Sequence, residues 1–156
     1  VAALMRGGID ATLADALLEP IMVKRGFFVL RGRPTPFMNG PIAVKRSYLA
    51  GQRSTLKKFV KAFSDATRYL IDNREGTMRP LTQLLNSNDA QAVDFAYQYL
   101  HANSEATLYP PDDAVKNLIR MSAYMDKKLG TISVNRVVDL SILDELGTKR
   151  NQRGQK

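Results

Sequence analysis

The sequence predicts an α/β fold, because its first thirty residues alternate between helix-like and strand-like patterns. A helix end at residues 1–6 precedes a short apolar run at residues 9–14, a helical stripe at residues 15–25 and a second apolar run at residues 27–30. This order is typical of a strand–helix–strand crossover. The length of 156 residues and the hydrophobic fraction of 44% favour a packed protein over a disordered or membrane-spanning chain.

Local signals support each of these elements. Gly7 and Gly8 are expected to end the first helix, and the runs at residues 9–14 and 27–30 are short enough for buried strands. Between them, apolar residues recur at helical spacing, and Lys24 and Arg25 precede Gly26 at the expected helix end. The stripe consists of Leu17, Leu18, Ile21 and Met22.

The middle of the chain changes from strand-like to helical spacing. Glycines and prolines predict a loop over residues 31–41, residues 42–44 predict a third strand, and residues 47–50 predict a turn. A long helix is expected over residues 54–73, with lysines on one face and core residues on the other. The predicted core face consists of Leu56, Phe59, Val60, Phe63 and Leu70.

Three further helices are predicted, over residues 89–102, 112–129 and 140–146. Asp112 and Asp113 lie in the first turn of the second of these helices, where carboxylates are favoured, and Asp139 is placed to cap the third.

The net charge of +8 is unevenly distributed along the chain. Residues 20–64 contain ten basic residues and no acid, whereas residues 65–147 contain twelve acids and eight basic residues. The last nine residues, 148–156, add four basic residues and are expected to form a disordered tail. A solvated basic face explains this pattern better than a polyanion site does, and the expected burial of Phe59 argues against base stacking. No nucleic-acid partner is expected.

No pattern of catalytic residues is recognisable in the sequence. The absence of cysteine excludes thiol nucleophiles, thiolate zinc sites and iron–sulfur clusters, and the single histidine, His101, is expected at a surface or helix cap. Phosphate loops, dinucleotide fingerprints and nucleophile elbows do not occur. We therefore expect no enzyme activity, no cofactor and no metal site.

Four segments in order resemble the solute-binding proteins of ABC importers in the sulfonate, nitrate, taurine and thiamine-pyrimidine-precursor group. The first is Gly-Ile-Asp-Ala at residues 8–11 followed by Gly-Phe-Phe-Val-Leu at residues 26–30. The others are the return strand at residues 39–49, the long helix at residues 55–73 and the C-terminal motif at residues 137–146. Since members of this group are about twice as long, the chain resembles only their C-terminal half.

The resemblance implies the C-terminal half of a type II periplasmic-binding-protein fold. Residues 1–38 would end the second lobe and residues 39–46 would form a crossover strand. Residues 47–147 would form the helical part that belongs to the first lobe, followed by the tail at residues 148–156.

The function implied is capture of a small organic solute in a cleft between two lobes, followed by delivery to the ABC permease. Hinge closure on the ligand would create the state that the permease recognises. The solute would be a sulfonate, a pyrimidine or an aromatic acid, and the protein would be periplasmic or extracellular, either free or lipid-anchored. The chain would then be a fragment that need not bind the solute alone, and the apolar surface left by the missing lobe should favour self-association.

The expected ligand-binding residues lie where the first predicted strand meets the next helix and where the crossover would pass the cleft. In an open α/β sheet, ligands bind beyond the carboxyl ends of strands. The residues are Leu13, Ala14, Asp15, Ala16, Asn39 and Gly40. Two alternatives stay open: Asp15 as a simple helix cap, and ordinary turn chemistry at Asn39 and Gly40. The alternative function is a stand-alone basic helical interaction module or nucleic-acid-binding module.

Overall fold

The computed structural model describes residues 1–33, 35–38 and 40–147, and these residues are helical or irregular with no strand among them. The predicted α/β class is therefore wrong, and with it the strands of the predicted type II binding-protein fold. The helices are α1 (Ala2–Met5), α2 (Glu19–Lys24), α3 (Arg46–Gly51), α4 (Arg53–Asp72), α5 (Arg74–Leu85), α6 (Ala90–Asn103), α7 (Asp112–Met125), α8 (Val134–Val137) and α9 (Ser141–Glu145). Short 3₁₀ helices occupy Ala16–Leu18 and Lys127–Thr131.

The three predicted strands are irregular segments, and several of their large side chains are exposed to solvent. Leu13 is 98% exposed and Phe28 is 87% exposed, and Ile42 and Val44 are also exposed. A strand is stabilised by hydrogen bonds to a neighbouring strand, which an apolar run cannot supply by itself. The predicted crossover strand at residues 39–46 is wrong for the same reason, and α3 already begins at Arg46.

The chain divides into two compact units whose boundaries differ from the predicted lobes. The first unit combines Val1–Gly32 with Tyr69–Ser104, and the second combines Arg33–Arg68 with Glu105–Lys156. The assignment of residues to two lobes stays a prediction. The predicted disordered tail at residues 148–156 lies outside the described residues.

The first unit packs α5 against α6. Leu81 from α5 and three residues of α6 (Val93, Ala96 and Tyr97) form its buried core. The predicted helix at residues 89–102 is confirmed, since Asp89 caps α6 by accepting the N–H groups of Gln91 and Ala92 at 3.0 and 3.3 Å.

Helix α5 was not predicted from the sequence. Pro80 lies inside it and Gly76 lies in its first turn, and both residue types normally disfavour a helix. Asn73 compensates by accepting the N–H of Gly76 at 2.8 Å, and Asn86 ends the helix in the left-handed region at φ +46°.

The second unit packs α4 against α9. Leu56, Val60, Ile142 and Leu143 form its core, so the long helix and the C-terminal helix are both confirmed. The predicted core face of α4 is wrong in part, because Phe59 and Phe63 are 52% and 49% exposed. None of the described helices is long and apolar enough to span a membrane.

Candidate ligand-binding site

The predicted residues Leu13, Ala14 and Asp15 line neither of the two cavities described below. Asp15 accepts the N–H of Leu17 through its Oδ1 atom at 2.9 Å, so its alternative role as a cap is confirmed. Leu13 and Ala14 lie in an exposed irregular segment, and Ala16 begins a 3₁₀ helix.

Gly40, the last of the predicted residues that the structure describes, belongs to the second unit. Gly40 adopts φ +67°, a backbone conformation that favours glycine and agrees with the turn alternative. Asn39 lies outside the described residues. Gly40 lines neither of the two cavities described below.

A small cavity in the second unit is the better candidate site. Its volume is about 290 Å³, close to the lower limit of typical small-molecule pockets. It is lined by Lys61, Ser64, Asp65, Arg68, Thr107, Leu146 and Gly147. A larger cavity of about 380 Å³ lies between α7 and residues 130–134 and has mostly aliphatic walls apart from Lys116, Arg120 and Ser133.

The helical spacing of α4 brings four polar residues to the candidate cavity. Lys61, Ser64, Asp65 and Arg68 recur at intervals of three and four, which places them on one side of the helix. Ser64 is buried, and its hydroxyl donates to the carbonyl of Ala106 at 2.5 Å. This bond holds the segment that carries Thr107 against α4.

The lining combines charge with an apolar wall. Lys61 Nζ lies 2.6 Å from Asp65 Oδ2, and Arg68 adds a second cation, so the lining has one more cation than carboxylate. Ser64 and Thr107 contribute hydroxyls, and Leu146 contributes the apolar surface. Such a cavity suits a small organic molecule with one anionic group.

An ion-pair network attaches α9 to α4 and so positions the following residues, Leu146 and Gly147, which line the cavity. Arg53 contacts Glu145 and donates to the Ser141 hydroxyl at 2.9 Å, and Lys57 lies 3.4 Å from Glu145. These contacts fix α9 on α4 just before Leu146. The Arg53 guanidinium holds the pKa of Glu145 below its usual value, and hydrogen bonds from Ser141 lower the pKa of Asp139.

We expect the free energy of unfolding to fall in acid, because three carboxyls have lowered pKa values. They are Glu145, Asp139 and Asp89, and a hydrogen bond from Lys24 lowers the pKa of Asp89. A carboxyl with a depressed pKa in the folded state stabilises that state above its unfolded pKa, and the contribution is lost as pH falls through the folded pKa. The free energy of unfolding should therefore begin to fall near the ordinary glutamate and aspartate values of 4.5 and 3.8 and keep falling below them. Denaturant titrations from pH 7 downward would measure it. Glu145→Gln should flatten the slope, and an unchanged slope would contradict this assignment.

Sequence reasoning missed this cavity. Lys61 was interpreted only as part of a solvated face, and Ser64 and Arg68 were not singled out. The polar spacing along α4 was a visible signal, but Thr107 lies in an irregular segment far along the chain, where no periodicity predicts a contact.

Among the described residues, no group of three or more potential metal ligands lies close enough together to hold a metal ion. His101 is exposed on α6, as expected from the sequence, with its ring centroid 5.8 Å from that of Tyr97.

Comparisons with known proteins give no relative. No protein-family model matches the chain, and neither a curated protein nor a solved structure is detectably similar to it.

Proposed function

We propose that the chain binds a small organic solute with an anionic group, as part of the solute-capturing component of an ABC importer. The observation that carries this proposal is the cavity in which Lys61 and Arg68 accompany two hydroxyls and an apolar wall. The importer class comes from the four sequence segments that resemble such proteins. An ABC permease partner, a periplasmic or extracellular location and the absence of enzyme activity belong to the same proposal.

The lining favours a sulfonate or a carboxylate among the expected solutes. The planar guanidinium of Arg68 can donate two parallel hydrogen bonds to such a group, and Lys61 adds a second charge-assisted donor. Leu146 would contact the hydrocarbon part, and Asp65 could accept a bond from an amino group on the same solute. Lys61 already pairs with Asp65, so a neutral pyrimidine would leave the charge of Arg68 without an anionic partner in the cavity.

The proposed site lies within the second unit, whereas the resemblance implies a cleft between lobes. The capture mechanism needs only that the solute binds one conformation more tightly than another. A solute held between α4 and the end of α9 would stabilise the contact of these helices, and that state would be the one offered to the permease.

Replacing Arg68 with glutamine should weaken binding of ethanesulfonate or benzoate. Loss of a charged hydrogen-bonding partner costs about 1.5–3 kcal/mol, so Kd should rise about tenfold or more. Titration calorimetry of the folded chain would measure the change. Lys58→Gln is the matched control, because Lys58 lies on α4, carries the same charge and does not line the cavity.

Two results would count against the proposal. If neither ethanesulfonate, benzoate nor an aminopyrimidine binds or raises Tm, solute capture by this cavity fails. If Arg68→Gln and Lys58→Gln weaken binding equally, the effect comes from overall charge and the cavity is not the site.

A basic interaction module that binds nucleic acid is the second candidate. Phe59 is not buried as expected from the sequence: Phe59 and Phe63 are half-exposed and stacked with ring centroids 6.4 Å apart. Exposed aromatic rings on a basic helix suit single-stranded nucleic acid. Retention of single-stranded RNA at low salt that decreases steeply with added salt would favour this candidate, and no retention would exclude it.

A further inference from the structure

A second feature, in the first unit, has no role in solute binding. After α2, residues 27–32 form an irregular segment in which exposure alternates over residues 27–30. Phe27 and Val29 are half-buried, whereas Phe28 and Leu30 are 87% and 84% exposed. Side chains that alternate between two sides are typical of an extended chain. We call residues 27–32 the open segment.

The backbone of the open segment is almost unpaired. The N–H of Phe27 donates to the carbonyl of Met22 at 3.1 Å. From residue 28 to residue 32, no backbone N–H or carbonyl has a hydrogen-bond partner elsewhere in the described part of the chain. Unpaired backbone groups beside exposed apolar side chains are the features of a sheet edge that another strand can join.

We propose that the open segment binds an extended polypeptide segment from outside this sequence. The incoming segment would bond to the backbone of residues 28–32 and place alternate apolar side chains against Phe28 and Leu30, as in binding by strand addition. A lipid surface would cover the two side chains but leave the backbone groups unpaired in an apolar environment, which is costly.

Repulsion between arginines disfavours a second copy of the same segment as the partner. Arg25 and Arg33 flank the open segment and contact no carboxylate among the described residues. Antiparallel pairing centred on Val29 would set Arg25 of each copy opposite Arg33 of the other, and parallel pairing in register would set Arg25 and Arg33 each opposite itself; Arg31 is paired with Glu19. Like charges directly opposite each other destabilise strand pairing. The fitting partner is therefore an extended segment with apolar residues at alternate positions and acidic residues at its ends.

Three fluorescent heptapeptides would test this inference on the whole chain. The first alternates valine and threonine between terminal aspartates, the second replaces the aspartates with lysines, and the third is the aspartate peptide with N-methylated backbone amides. We expect the first peptide to bind and to slow hydrogen exchange at residues 28–32. The other two should bind about tenfold more weakly or worse, because each lacks charge complementarity or backbone donors.

Leu30→Asp should abolish binding of the first peptide, and Leu13→Asp should leave it unchanged. Both leucines are exposed in irregular parts of the first unit, so the two variants are matched, and circular dichroism would establish that both stay folded.

Three results would overturn the inference. Equal binding of the N-methylated peptide would show that backbone pairing is not used. Slowed exchange at residues 28–32 without peptide, increasing with protein concentration, would identify a second copy as the partner. Binding to anionic lipid vesicles that Leu30→Asp abolishes would identify a membrane. None of these results bears on the cavity of the second unit, so the two proposals fail separately.

Discussion

Replacing Tyr97 with alanine should lower the free energy of unfolding by about 3–5 kcal/mol, the range found when a buried aromatic residue is truncated. Tyr97 is 7% exposed and belongs to the core that α5 and α6 share. The guanidinium carbon of Arg74 lies 5.6 Å from its ring centroid. Truncation would leave a cavity beside Leu81 and Val93 and remove this cation–π contact as well.

Chemical denaturation followed by far-ultraviolet circular dichroism would measure the loss. Tyr124→Ala is the matched control, because Tyr124 also lies on a helix but is 90% exposed, and its removal should change stability by less than about 0.5 kcal/mol. Similar losses for both tyrosines would show that the core of the first unit is not where the structure places it.

The sequence predicted the long amphipathic helices well because their signals are local. The helix at residues 54–73 corresponds to α4 within one residue at each end. Asp139, expected to cap the last helix, accepts the N–H of Ser141 at 3.0 Å but lies one residue before the N-cap of α9, Leu140. Helix α7 ends earlier than predicted because Asp126 accepts the N–H of Lys128 and starts a 3₁₀ helix instead. Capping and periodicity involve residues within a few positions, so one sequence contains them.

The strands could not be predicted correctly, because a strand depends on a partner elsewhere. Residues 27–30 are all apolar, and in the structure their exposure alternates without the hydrogen bonds of a sheet. The apolar run therefore did not determine whether a strand pairs. A run of four apolar residues is compatible with a strand, but it does not show whether a second strand is available to pair with it.

The candidate site depended on tertiary contacts that one sequence does not reveal. The predicted residues were chosen at the carboxyl end of a strand that is not formed, so Asp15 is left as a cap. The cavity instead needs Ser64 to hold Ala106, and Arg53 to hold Glu145, across about 40 and 90 positions respectively. Side chains from distant segments form the site, whereas each sequence motif describes one local segment and contains no information on contacts between segments.

The two units offer surfaces of different chemistry. The second unit combines cations with hydroxyls in a cavity, which suits a small anion, and the first unit exposes backbone and apolar groups, which suit a polypeptide. Self-association through the apolar surface left by a missing lobe stays a prediction, and light scattering would test it.

The second large effect is expected at Leu56, which the sequence placed on the same core face as Phe59. Leu56 is 6% exposed and packs against α9, so Leu56→Ala should cost about 2–5 kcal/mol. Phe59 is 52% exposed, and since full burial of a phenylalanine contributes about 1.5–3 kcal/mol, Phe59→Ala should cost only about 1 kcal/mol.

Parallel urea titrations of the two variants would measure this difference directly. Both substitutions remove a large apolar side chain from α4 and leave alanine, so helix propensity contributes little to the comparison. A larger loss for Leu56→Ala is expected because only that site loses contacts with Ile142 and Leu143. If Phe59→Ala proves equally costly, Phe59 is buried in solution, its exposed stack with Phe63 does not exist, and the nucleic-acid candidate loses the observation that favours it.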